Sequence, residues 1–218
     1  DARTMTAPLR PLTAIETRVL GVLVEKERTV PDSYPMSLNA IVLGANQRTS
    51  RSPTMDIDEI DAQTALDELK GLSLVVETSG GRVMRYAHNL PRALAIPAES
   101  AAIVATLMLR GPQTPGELRI NTERLHRFAD LSSVEAYLAE LASRPAGALV
   151  VELPRASGAR ERRWAHLLSG APVVADPPQA EVRAGDHDRL AALEARVERL
   201  ERVISAIAGT RDREGDSA

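Results

Sequence analysis

Ala62-Gln-Thr-Ala-Leu-Asp-Glu-Leu69 is followed by an apolar run from Leu72 to Val76, a Ser-Gly-Gly turn at 79–81, and a run ending Tyr86-Ala-His88. The same cassette returns as Val134-Glu-Ala-Tyr-Leu-Ala-Glu-Leu141, an apolar run from Leu149 to Leu153, a Ser-Gly turn at 157–158, and Trp164-Ala-His166. In each copy apolar residues first recur three and four apart, as one face of a helix requires. They then form short runs on either side of a glycine turn, as a hairpin requires. A helix feeding a two-stranded wing is the second half of a winged helix-turn-helix domain.

Upstream of each cassette the missing helices are legible. Thr13 with Glu16 forms a capping box ahead of a helix to about Lys26, with Ile15, Val19, Val22 and Leu23 on one face. Pro31 and Pro35 bound a loop, and Ser37 caps a short helix carrying Leu38, Ile41 and Val42. Asn46 to Pro53 is polar and loop-like, Asp58 with Asp61 opens the third helix, and Gly71 ends it. In the second half Pro97 suits a helix start, and Ile103, Val104, Leu107 and Met108 match Val19, Leu20, Leu23 and Val24. Gly111-Pro112 breaks that helix, Thr114-Pro115 caps a short second one, and Asp130 or Ser132 starts the third.

The fold class expected is therefore α+β, mainly α: winged-helix domains over 10–92 and 96–169, then a linker over 170–186. The offset between copies is 84 at helix one, 72 at helix three and 78 at the hairpin's end. The first half thus carries 12 extra residues between its first and third helices, and the second carries 6 extra around its wing. Insertions in a repeated fold lie in surface loops, where function is often carried.

After the linker, Leu190, Leu193, Val197, Leu200, Ile204 and Ile207 follow a heptad seam over 187–208. Arg189 and Arg196 at g face Glu194 and Glu201 at e in a parallel pair, so a homodimer through this helix is expected, against packing on its own chain as the alternative. Residues 209–218 are expected to be disordered.

Composition excludes several classes of function. There is no cysteine, hence no disulfide, thiolate catalysis or cysteine zinc site. No run of about 18 apolar residues is present and the N-terminus lacks a signal-peptide core, so a cytoplasmic protein without membrane contact is expected. Five aromatic residues do not make a base-stacking platform. With 27 basic and 30 acidic side chains, no segment is strongly basic.

The third helix of a winged helix normally enters the major groove. Here Asp56, Asp58, Glu59, Asp61, Asp67 and Glu68 crowd it in the first copy, and Glu135 and Glu140 mark it in the second. The DNA-contact candidates lie elsewhere: Asn46, Gln47, Arg48 and Arg51 before helix three, and Arg155, Arg160, Arg162 and Arg163 on the second wing. A third cluster comprises Arg119, Arg124 and Arg127, with His126. Each of these has a solvated-surface alternative. The four histidines have no ligand spacing, no phosphate loop or nucleophile elbow is present, and Glu25 with Glu27 reads as solvated. No enzyme activity, metal or cofactor is expected.

Leu12-Thr-Ala-Ile-Glu-Thr-Arg-Val-Leu-Gly-Val-Leu-Val-Glu-Lys26 resembles the opening of the YceH-like proteins, a bacterial family of unknown function. Asp32-Ser-Tyr-Pro-Met-Ser-Leu-Asn-Ala40, Asn46-Gln-Arg-Thr-Ser-Arg-Ser-Pro53, Leu109-Arg-Gly-Pro-Gln-Thr-Pro-Gly-Glu-Leu-Arg119 and Glu123-Arg-Leu-His-Arg-Phe-Ala-Asp130 carry it further, over about 12–168. The resemblance implies two tandem winged helices and brings no activity or catalytic residue with it. The family pattern has Lys at Arg48 and Asp at Ser52, which shifts the charge of that loop without changing its character. Two functions follow as expectations. The first is a dimeric duplex-DNA-binding protein of transcription-regulator type. The second is a non-enzymatic protein-interaction adaptor, which the acidic helices suit better.

Overall fold

A computed structural model of the chain describes residues 9–78, 83–155, 158 and 160–172. The described residues form an α+β structure, mainly helical, with two small two-stranded sheets. The heptad residues Leu190, Leu193, Val197, Leu200, Ile204 and Ile207, most of the expected linker and the 209–218 tail lie outside the described residues.

Each half runs through three helices into an antiparallel hairpin. The first contains α1 (Ala14–Thr29), α2 (Leu38–Ala45), α3 (Glu59–Gly71), β1 (Val75–Thr78) and β2 (Arg85–His88). A short α4 (Leu90–Leu94) leads into the second, with α5 (Ala98–Arg110), α6 (Pro115–Asn121), α7 (Leu131–Ala142), β3 (Val150–Glu152) and β4 (Trp164–His166). The hairpins have the same register at their open ends: Val75 opposes His88, and Val150 opposes His166.

Local chemistry sets the helix starts. Thr13 and Glu16 form the expected capping box, and Thr114 with Glu117 forms a second one. Ser37, Asp58 and Asp130 each accept a backbone N–H two or three residues inside α2, α3 and α7. Such caps satisfy donors that no intrahelical carbonyl can reach, and each contributes about 1 kcal/mol. Pro97 sits at the cap of α5 rather than inside its first turn.

One pairing escapes any periodicity in the sequence. Met36 bridges Tyr86, and Gln113 bridges Trp164, through reciprocal backbone hydrogen bonds of 2.7–3.0 Å. In both halves the residue just ahead of the second helix is thereby tied to the hairpin's outgoing strand. A single bridging residue has no alternation to betray it.

The two halves share a continuous hydrophobic core. Helix α1 is buried continuously from Glu16 to Val24, and α5 from Ser100 to Leu109. Neither shows the single apolar face that its spacing suggests, because each packs on its own half and also on the other. Gly21 lies at this crossing: a Cβ there would stand 3.0 Å from the Leu109 side chain. The 12-residue excess of the first half is spread over longer connections at 30–37 and 46–58, whose counterparts are the shorter 111–114 and 122–130, and over α1 and α2, which outrun α5 and α6.

Candidate functional site

The 46–53 segment is fastened at both ends and in its middle. The Asn46 side chain donates to the Ile57 carbonyl and accepts from the Ile57 N–H, both at 2.8 Å. Ser52 N–H donates to the Leu109 carbonyl at 2.8 Å, which anchors the segment to the second half. Arg51 turns inward. Its guanidinium donates to both Glu25 oxygens at 2.6 and 3.1 Å, and also to the Gly44 and Ser50 carbonyls and Gln47 Oε1. Burial pushes the Glu25 carboxyl up, but the Arg51 hydrogen bonds and charge, with Lys26 nearby, outweigh it and hold that carboxyl below the usual carboxylate range.

Arg51, expected as a DNA contact, is therefore an internal ion-pair partner whose side chain has no exposed area. Asn46 is likewise committed to the fold. Gln47 is exposed, with its carbonyl oxygen turned to Arg51, and Arg48 projects into solvent. The expectation of a solvated Glu25–Glu27 pair fails at Glu25, whose carboxylate is held by Arg51, while the Glu27 side chain stays partly exposed. Glu27 lies 3.1 Å from the buried His88 ring.

Between the halves lies a cleft of about 370 Å³. One wall is α1 with the 46–53 segment, contributing Lys26, Arg48 and Ser50; the other is the second half, contributing Arg110, Asn121 and Arg124. Arg110 is half-buried and donates to Ser50 Oγ at 2.7 Å. Burial lowers its pKa from the ordinary arginine value, with Glu25 opposing the shift and Arg51 adding to it. Lys26 and Arg110 stand 84 residues apart, the helix-one offset, so they are the same position in the two copies. That offset is the one sequence signal that could have found Arg110 as a partner of the expected loop.

The remaining expected contacts do not converge. Arg162 pairs with Glu152 at 2.8 Å; Arg163 pairs with Glu117 at 2.9 Å and donates to the Pro112 carbonyl. Arg119, Arg127, Arg155 and Arg160 are exposed and form no ion pair among the described residues. Of the sequence candidates Gln47, Arg48 and Arg124 meet at the cleft. Glu59, Asp61, Asp67 and Glu68 of α3 are exposed, as are Glu135 and Glu140 of α7.

Among the described residues no group of three or more histidine, aspartate or glutamate side chains could hold a metal ion. His166 sits largely buried with an Nδ1 that has no hydrogen-bond partner, and burial pushes its pKa down to about 4. No described helix is long and apolar enough to cross a membrane.

A mainly helical chain with two hairpins and a polar inter-half cleft defines a class by its architecture. Within that class the chain belongs to the family described as protein of unknown function DUF480, whose model matches residues 12–159. This agrees with the YceH-like resemblance carried by the same stretches. A UPF0502 protein of Dechloromonas aromatica is 53% identical over 196 residues, covering 90% of this chain and 92% of that one. A second, from Cupriavidus necator, is 60% identical over 178 residues, 81% and 73% of the two chains. A third, from Acidovorax sp., is 54% identical over 215 residues, 96% and 93%.

Proposed function

We propose that the two halves are tandem winged-helix domains acting as a non-enzymatic protein-interaction adaptor. The observation that carries this reading is what helices two and three expose. Leu43 on α2 and Ile120 on α6 are 67% and 73% exposed, and they occupy the same position, six residues beyond the helix cap, in the two copies. Ile60 and Leu131, near the starts of α3 and α7, are also exposed, although one stands two residues and the other one residue beyond its cap. A single exposed leucine needs no explanation, but large apolar side chains at equivalent places in both copies do. The exposed carboxylates of α3, two of which flank Ile60 in sequence, would repel phosphates. Exposed apolar and acidic side chains on these helices suit a protein partner carrying basic residues.

The test is capture of a partner from nuclease-treated bacterial lysate by the full chain. One stoichiometric partner is expected, and it should be lost when Leu43 and Ile120 are both replaced by lysine. Retention of the same partner by the double variant would refute the reading. The cytoplasmic location and a parallel homodimer through 187–208 belong to this proposal. They rest on the absence of cysteine and on the heptad pattern.

A second reading, a duplex-DNA-binding regulator, is favoured by one observation. Arg48, Arg119, Arg124, Arg127, Arg155 and Arg160 are exposed without carboxylate partners among the described residues. It requires a gel shift with duplex DNA that weakens steeply as salt rises and is lost on replacing Arg119, Arg127 and Arg160 by alanine.

A further inference from the structure

We propose that the cleft between the two halves binds a small phosphorylated anion, held by Arg48 and Ser50 from the 46–53 segment, Lys26 from α1, and Arg110 and Arg124 from the second half. The cleft, at about 370 Å³, is within the range of small-ligand sites, roughly 300–1,000 Å³. Its charge is unbalanced. Four cations line it against one lining carboxylate among the described residues, Glu25, which is held by Arg51 and lies 3.3 Å from Lys26, so Arg48, Arg110 and Arg124 have no ion-pair partner there.

Arg110 marks the centre of this imbalance. It is half-buried, yet its hydrogen-bond acceptor is a neutral hydroxyl, Ser50 Oγ, and it forms no ion pair among the described residues. Partly desolvated cations are ordinarily matched by an anion, and the match missing here is what a ligand would provide. Ser50 itself stands at φ 62, in the left-handed region that costs a non-glycine residue about 1 kcal/mol. That conformation directs its carbonyl to Arg51 and its hydroxyl to Arg110, so the strained residue joins the internal ion pair to the cleft.

Guanidinium groups present paired N–H donors at the spacing of phosphate oxygens, and Ser50 and Thr49 add hydroxyl donors. Four cations favour a ligand with more than one negative charge over a simple carboxylate. The Lys26–Arg110 equivalence places one cation from each copy at the cleft, so a diphosphate could be shared between the halves. The proposal stands independently of the adaptor reading, because it uses none of the exposed apolar residues.

Calorimetric titration of the full chain with inorganic pyrophosphate tests it, with sodium chloride at matched ionic strength and a short DNA duplex as parallel arms. Saturable single-site binding with a Kd of about 1 mM or tighter is expected. It should weaken at least about tenfold in the Arg48→Ala/Arg124→Ala double variant. Both side chains are exposed, so the variant keeps its fold, which circular dichroism verifies. The proposal is overturned by no saturation at about 10 mM, by equal affinity in the double variant, by a response that sodium chloride reproduces, or by binding of the duplex alone.

Discussion

Arg51 and Glu25 form a bidentate ion pair at 2.6 and 3.1 Å, with the arginine side chain fully withdrawn from solvent. The pair joins the middle of the 46–53 segment to the last turns of α1 and so fixes one wall of the inter-half cleft. Glu25 also meets Lys26 at 3.3 Å, and Arg51 caps the Gly44 carbonyl near the end of α2. Three elements therefore depend on one guanidinium.

Removing that guanidinium leaves a half-buried carboxylate and two backbone carbonyls without their donor. Arg51→Met is expected to lower unfolding free energy by about 3–5 kcal/mol, the usual cost of breaking a buried pair from one side. Urea denaturation reads this as a lower midpoint at unchanged slope. A loss under about 1 kcal/mol would show that the pair is not structural.

The same pair has a pH signature. Because the folded Glu25 carboxyl lies below its ordinary value, its contribution to stability is complete above that value. It is lost as pH falls below about 4 and on through the folded value. Glu25→Gln should remove this part of the acid sensitivity, giving a variant less stable at neutral pH and more nearly equal to the parent in acid. Denaturation midpoints measured from neutral pH down to about pH 3 would show the two curves converging. Parallel curves would sink the assignment.

His166 acts over a different range. Burial holds the folded ring neutral down to about 4, while the unfolded ring protonates near 6.5. Between those values the unfolded chain binds the extra proton, so stability falls on acidification from about 6.5 towards 4, by up to about 3 kcal/mol. Histidine NMR should show the His166 ring unprotonated at pH 5.5. A His166 titration midpoint near 6.5 would contradict the burial argument.

The helices were legible because the residues that start them act locally. Thr13, Ser37, Asp58, Thr114 and Asp130 each reach a backbone N–H two or three positions on, which a sequence displays directly. The repeat disclosed the hairpins by the same route. The cleft was half legible: the polar 46–51 segment and Arg124 stood out, whereas Arg110 reads as one more basic residue ending a helix. Whether an arginine faces solvent or a carboxylate depends on long-range partners. Arg51 with Glu25 and Arg163 with Glu117 are separated by 26 and 46 residues, and no periodicity encodes such pairings.

Gly44 and Gly21 permit close helix approaches of unequal tolerance. A Cβ at Gly44 would stand 2.7 Å from Val22 Cγ1, a fully buried atom on a stiff β-branched side chain. At Gly21 it would stand 3.0 Å from Leu109 Cγ and Cδ2, on a side chain with more rotamer freedom. Gly44→Ala is therefore expected to cost about 1–3 kcal/mol, as overpacking does, and Gly21→Ala less. Adding Val22→Ala to Gly44→Ala should recover part of the loss, a coupling that a double-mutant cycle measures. Strict additivity, or a larger cost at Gly21, would refute this ordering.

The exposed pair Leu43 and Ile120 separates folding from recognition. Both side chains lie outside the core, so replacing either with lysine should change stability by no more than about 0.5 kcal/mol. Partner capture, by contrast, should fall with each replacement and disappear with both, because an apolar anchor at the centre of an interface carries most of its energy. Thermal unfolding and quantitative capture on the same protein samples give the two readouts. If capture falls only in proportion to lost stability, the apolar positions belong to the fold, and the adaptor reading loses its main support.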